Sequence, residues 1–265
     1  MLLTIDIGNT NITLGLYQGD ELGFRWRLAT DHDRMSDEYG LQILGLLQHA
    51  GCSVAELEGV CLASVVPKLT SCMIRSCQGY LNLSPLLVTA SLEMGINILY
   101  EEPEAVGADR LADAVAVQYM YGGPACVVDF GTATTFDAIN SNGDYLGGAI
   151  APGIHVAAEA LFQRTAKLPR VELVNPGNVI GVNTIKAIQA GMLYGYVAMV
   201  EGMVSRFRKE LGAQMKVIAT GGLTDLVSSE TDCIDIRDPW LTLNGLNIIW
   251  NMMKTKEDDY GESNQ

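Results

Sequence analysis

Leu2 to Leu22 reads LLTIDIGNTNITLGLYQGDEL, and Cys126 to Leu146 reads CVVDFGTATTFDAINSNGDYL. In both stretches an apolar run carries an aspartate (Asp6, Asp129), turns at a glycine followed by polar or small residues (Gly8-Asn9-Thr10, Gly131-Thr132-Ala133), and resumes as a second apolar run. Aligned on the aspartates, the copies stay in step to a Gly-Asp pair, Gly19-Asp20 in the first and Gly143-Asp144 in the second, which carries one extra residue. Such a repeat implies two lobes built on one plan. Two strand-borne carboxylates facing one cleft suggest a nucleotide with its metal ion.

The pattern around the repeat supports that plan. Strands are predicted at about 2–7, 12–17 and 22–28, then a helix from Ser36 that Gly51 ends, a strand at 59–63, a helix opened by Pro67, a strand at 86–88 and a helix at 108–121. The order then recurs: strands near 125–130, 134–139 and 145–150, helices near 154–167 and 183–211, a strand at 216–220, a short helix after Gly222, a strand at 233–236 and a last helix at 241–253. Hairpin strands at one edge followed by strand-helix alternation give mixed sheets flanked by helices, an α/β chain. We expect one lobe at 1–121, a second at 122–254 with a cleft between them, and a disordered acidic tail at 255–265.

Composition removes several functions. A length of 265 residues accommodates a large core and one or two domains, and a formal charge of −14 leaves no basic stripe for a nucleic-acid backbone. An anionic membrane surface would repel the chain as well. The six cysteines show no CxxC spacing and read as reduced thiols of a cytoplasmic protein. Asp6 and Asn9 interrupt the N-terminus, so it does not read as a signal peptide. The apolar run 187–204 contains Glu201 and continues into Ser205-Arg206-Phe207-Arg208, which marks a buried helix, not a membrane span. Its Gly191, Gly195 and Gly202 each cost about 1 kcal/mol relative to alanine unless close packing compensates. Packing within the chain and packing between subunits both account for them.

An aspartate inside a strand needs a compensating partner, and a bound cation is one. The Gly8-Asn9-Thr10-Asn11 turn adds successive backbone N–H groups and side-chain donors, the equipment of a phosphate cradle. A hairpin that satisfies its own Asp and Asn explains one copy. Its recurrence at Asp129-Phe130-Gly131-Thr132 favours the phosphate reading. No Walker A pattern and no GxGxxG occurs. A third glycine-rich element, Ala219-Thr220-Gly221-Gly222, follows an apolar strand and gives backbone room to approach an adenine or ribose.

DIGNTN, DFGTATT and ATGG, in that order, resemble the two phosphate motifs and the adenosine motif of the superfamily that contains acetate kinase, sugar kinases, heat-shock chaperones and actin. Gly107-Ala108-Asp109-Arg110 and Gly147-Gly148-Ala149-Ile150-Ala151-Pro152-Gly153 further resemble type III pantothenate kinase, over about residues 1–253. The resemblance implies two ribonuclease H-like lobes of the actin-like ATPase fold. It also implies transfer of the ATP γ-phosphate to the primary hydroxyl of pantothenate, giving 4'-phosphopantothenate, the first step of coenzyme A synthesis. Residue by residue, it implies that Asp6, Ile7, Gly8, Asn9, Thr10, Asn11, Ile12 and Thr13 hold the ATP phosphates and Mg²⁺, with Asp6 toward the metal, and that Thr132 touches ATP. Asp129 would bind K⁺ or ammonium. Asp109 would be the general base, with Gly107, Ala108 and Arg110 forming its substrate loop and Tyr100 and Thr184 completing the pantothenate contacts. A homodimer is implied too.

Asp109 also reads as a helix N-cap from its position alone, and His155 is the histidine placed nearest the glycine-rich loop. A phosphohydrolase of the same superfamily and a non-enzymatic ATP-dependent module are the rival readings. The first needs a basic groove and the second more chain than this one has.

Overall fold

The computed structural model of the chain describes residues 1–262 and divides into two units. Unit 1 comprises Met1–Tyr121 and the C-terminal segment from Leu241; unit 2 comprises Gly122–Trp240. In unit 1 the chain forms β1 (Leu2–Ile7), β2 (Asn11–Gln18) and β3 (Glu21–Ala29), then α1 (Ser36–His49), β4 (Gly59–Ser64), α2 (Pro67–Ser76), β5 (Leu86–Leu87) and α3 (Ala108–Met120). Unit 2 runs β6 (Ala125–Phe130), β7 (Ala133–Ile139), β8 (Tyr145–Pro152), α4 (Ile154–Gln163), α5 (Thr184–Leu211), β9 (Lys216–Gly221), α6 (Thr224–Ser228) and β10 (Ile236–Arg237). Helix α7 (Leu241–Glu262) follows β10.

The two sheets have one topology. Strand order is β3-β2-β1-β4-β5 in the first and β8-β7-β6-β9-β10 in the second. In each, the central strand is antiparallel to the next in sequence and parallel to the one that follows the crossover. This is the ribonuclease H-like order, twice, as in actin-like ATPases. β1 and β6 occupy the centres because their residues are apolar on both faces; the only breaks in their burial are Asp6 and Asp129, at the same position in each. β3 lies at an edge, where Arg25 and Arg27 alternate with Trp26 and blunt it against pairing.

Each unit has its own core. In unit 1, Leu3, Ile5, Ile7, Ile12 and Leu14 pack with Tyr39, Ile43 and Leu47 of α1 and Leu69 and Met73 of α2. In unit 2, Val128, Phe130 and Phe136 pack with Leu193, Tyr196, Val197, Val200 and Val204 on one side of α5. The run 187–204 thus belongs to a long amphipathic helix, and among the described residues no helix is long and apolar enough to cross a membrane.

Helix α7 corrects the expected division. It was placed at the end of the second lobe, within 122–254, but its residues Leu243, Leu246 and Ile249 are buried in unit 1. Gly245 explains the fit: a β-carbon there would overlap the backbone carbonyl of Ala112, so the glycine lets α7 lie directly against alanine-rich α3. The helix also extends to Glu262, across most of the stretch expected as a tail; residues 263–265 lie outside the described residues. In place of the strand expected at 233–236 stands the shorter, later Ile236–Arg237, with the Asp235 carboxylate ahead of it accepting the Val217 N–H at 2.8 Å.

Candidate active site

Asp6 stands opposite Thr13 on one side and Ala63 on the other, at the C-terminal ends of β1 and β4. Its flanking residues Ile5 and Ile7 are fully buried, while Asp6 is half-buried, with its Oδ1 sealed from solvent. The turn beyond it is closed by a Gly8 N–H bond to the Asn11 carbonyl at 3.0 Å, which leaves the side chains of Asn9, Thr10 and Asn11 exposed. Ile7 and Ile12 face the core, so of their groups only backbone is available to a ligand.

Thr30, just past β3, clamps this turn from outside. Its hydroxyl donates to the Gly8 carbonyl at 2.7 Å and its N–H donates to the Thr10 carbonyl at 2.9 Å. Nothing foretold it, because a threonine at a strand end has no periodicity or spacing that marks it.

The second element of unit 1 is the start of α3. Gly107, not Asp109, is the N-cap; Asp109 lies inside the first turn, where its Oδ1 accepts the Arg110 N–H at 2.8 Å. That carboxylate curls back so far that a β-carbon on Gly107 would sit 2.5 Å from Oδ1, and 3.2 Å from Val65 Cγ1 on the other side. Val65 in turn donates its N–H to the Ile7 carbonyl at 3.1 Å. The Asp109 turn and the strand end that carries Asp6 are therefore joined through one residue. Ala108 is buried beneath them, and Tyr100 lies on an exposed loop ahead of the short 3₁₀ turn Pro103–Ala105 that leads into Gly107.

Unit 2 builds a turn one residue shorter, with different support. Asp129 stands opposite Thr135 and Thr220, and Gly131 N–H closes on the Ala133 carbonyl at 3.1 Å, the counterpart of the Gly8 bond. Gly153 donates its N–H to the Thr132 carbonyl at 3.0 Å, and a side chain on it would overlap the carbonyls of Gly131 and Thr132. Gly221, at φ +90°, makes room for the Asp129 carboxylate, which a β-carbon there would strike. Thr132 is exposed, as is Thr184, the first residue of α5 behind the Asn183 cap, whose Oδ1 accepts the Lys186 N–H at 2.9 Å. His155 is exposed on the first turn of α4.

The donor sets are hard oxygens. Among the described residues no three of Asp, Glu, His and Cys gather into an ion cage. A lone strand-end carboxylate beside a turn of backbone amides suits Mg²⁺, which takes one or two carboxylates and completes its shell with phosphate and water. The six cysteines are all free, and burial pushes the thiols of Cys61 and Cys77 up to about 12, which makes them packing groups and not nucleophiles.

Comparison with known proteins follows the same lines. A family model described as type III pantothenate kinase matches residues 2–206. A protein from Moorella thermoacetica, described as type III pantothenate kinase, is 52% identical over 250 residues, spanning 94% of this chain and 98% of that one. Among solved structures, component A of (R)-2-hydroxyglutaryl-CoA dehydratase from Acidaminococcus fermentans is similar, with a TM-score of 0.55, 14% identity, and coverage of 94% of this chain and 95% of that one. The inorganic polyphosphate/ATP-glucomannokinase from Arthrobacter is similar at a TM-score of 0.51 and 16% identity, over 95% and 98% of the two chains. At such identities the structures show the shared fold.

Proposed function

The chain belongs to the type III pantothenate kinase family, and from that premise we propose how its residues divide the work of moving the ATP γ-phosphate to the primary hydroxyl of pantothenate. The observation that supports the division best is the link through Val65, which puts the Asp109 turn at the same sheet end as Asp6. Phosphoryl transfer needs mainly positioning and neutralisation of charge. Mg²⁺, when bound, supplies that neutralisation on the phosphate oxygens. Asp6 would hold the metal, and the 7–13 turn, kept rigid by Thr30, would hold the phosphates on its amides and on the side chains of Asn9, Thr10 and Asn11.

Asp109 would accept the hydroxyl proton. The first turn of α3 favours its ionised form, and the bond from Arg110 N–H to Oδ1 fixes the carboxylate plane. A weak base suffices, since in a loose transition state the proton leaves late. Arg110 would pair with an anion of the substrates, and Tyr100 and Thr184 would donate hydrogen bonds to pantothenate. Thr132 would touch ATP, and Asp129, framed by Gly221 and Gly131, would ligate K⁺ or ammonium.

We assign the chain to a cytoplasmic homodimer. The α5 glycines Gly191, Gly195 and Gly202 have no described residue within 4 Å of where a side chain would begin, so packing within the chain does not account for them. Val179, Ile180 and Val182, just before that helix, are highly exposed. Light scattering on the eluting protein should give twice the chain mass; a strict monomer would remove the interface. The free thiols suit a reducing compartment, and recovery of the protein outside the cytoplasmic fraction would refute that assignment.

The activity is tested by ADP release. It should require pantothenate, Mg²⁺ and K⁺ or ammonium together. Release without pantothenate would instead indicate a hydrolase, and no release at all a regulatory module.

A further inference from the structure

Two hydroxyls under the second turn have no task in the assignments above. Thr134 is 0% exposed and Tyr196 is 8% exposed, and neither Thr134 Oγ1 nor the Tyr196 hydroxyl bonds to any described group of the protein. A buried hydroxyl left without a partner costs about 1–3 kcal/mol, and both of these side chains neighbour Phe130. Thr134 stands directly across the ladder from Phe130, so both side chains leave the sheet on one face. The Tyr196 ring, carried there by α5, lies 6.4 Å from the Phe130 ring, centroid to centroid.

A third group completes the surroundings. The N–H of Ile154 opens α4 and is among the first-turn amides that a helix cannot bond internally. It lies near the phenol oxygen without reaching hydrogen-bond geometry. Burial pushes the phenol up to about 12, an effect that this amide opposes and the Asp129 charge reinforces, so Tyr196 keeps its proton and can donate it.

We propose that Tyr196 and Thr134 are positioning residues that share one buried water with the Ile154 amide, and that this water fixes the Gly131-Thr132-Ala133 turn from below. Buried waters take about three bonds, and two hydroxyls and one amide supply them. The turn is held at both ends by what the water touches. Phe130, which stands across from Thr134, immediately precedes Gly131; Gly153, which immediately precedes Ile154, is bonded to the Thr132 carbonyl. The consequence for catalysis rests on the proposed contact of Thr132 with ATP, whereas the water itself does not.

The test uses the full chain as Tyr196→Phe, Thr134→Val, the double variant, and Thr134→Ser, which keeps a hydroxyl. Amide hydrogen exchange at 131–133 is measured without nucleotide, and Mg·ATP affinity by calorimetry. Each single variant should speed exchange about tenfold, the double no further, and Thr134→Ser should match the parent. Effects that multiply to about a hundredfold in the double variant would mean two independent supports and would overturn the proposal. So would unchanged exchange in both single variants, or a crystal structure with no water between the hydroxyls. If Tyr196→Phe does not fold, Thr134→Val against Thr134→Ser decides: equal exchange in the two overturns it. Faster exchange with unaltered Mg·ATP affinity upholds the water and removes Thr132 from the ATP site.

Discussion

Replacing Gly153 by alanine isolates the support of the second turn. At φ −66° and ψ 155° the backbone suits any residue, so the substitution carries no conformational strain of its own. Its methyl, however, would fall well inside 3.0 Å of two carbonyl oxygens, those of Gly131 and Thr132, and both belong to backbone that no rotamer change can move aside. The chain must open the Gly153–Thr132 hydrogen bond by several tenths of an ångström or more. Overpacking of this kind costs about 1–3 kcal/mol, which corresponds to a fall of roughly 3–10 °C in Tm. Misplacing a binding group by about 1 Å can cost up to about a hundredfold in rate, so kcat/KM for ATP should fall by more than stability alone accounts for. Calorimetric melting and steady-state kinetics with ATP varied at saturating pantothenate measure both. Parent-like Tm together with parent-like kcat/KM would show that the turn does not depend on this contact, and the account of unit 2 would fail.

Asp109→Asn should lower kcat by about a hundredfold to ten-thousandfold while Mg·ATP binding, followed by calorimetry, stays within about twofold; retained turnover removes Asp109 as the base. Asp129→Ala should abolish the preference for K⁺ over Na⁺ in the ADP-release assay, and an unchanged preference would place the cation elsewhere. Gly45→Ala, on the exposed side of α1 with no atom within 4 Å of the new methyl, should stabilise the chain by about 0.5–1 kcal/mol in urea denaturation, and destabilisation there would contradict the helix. The Glu58 carboxyl is held below its ordinary range, chiefly by the hydrogen bond from Lys254 on α7 and also by the N-terminal ammonium. The stability this lends is present above the unfolded value of about 4.3 and is lost as pH falls through the lower folded value. Lys254→Gln should therefore flatten the acid limb of the stability curve below about pH 4.3, by less than about 1 kcal/mol for so exposed a pair.

What could be read from the residues was whatever the repeat wrote twice. DIGN and DFGT predicted two central strands with an aspartate at one matching position, and the two sheets reproduce that position, although the first turn is one residue longer: Asp6 pairs with Thr13 and Asp129 with Thr135. The destination of α7 was not legible, because helical periodicity shows that a face is buried but not which surface buries it. The clue was Gly245, meaningful only once Ala112 is seen against it. At the site, GADR stood out by composition, but its geometry did not: the glycine takes the cap and the aspartate folds back over it. Thr30, Thr134 and Tyr196 escaped notice for one reason. Each acts on partners far away in sequence, or bonds to none within the protein, and neither relation leaves a pattern in the chain.

The return of α7 to unit 1 also sets an order of birth. Unit 2 is an insertion, so a ribosome finishes all of Gly122–Trp240 before the last piece of unit 1 exists. Nascent domains ordinarily fold in the order they emerge. Here the first-made half must wait, its α3 surface open, for Leu243, Leu246 and Ile249, whose burial contributes roughly 1.5–3 kcal/mol each. A premature stop shortly after Trp240 would therefore spare the later-made half and cripple the earlier one, with the Asp6 and Asp109 turns it carries.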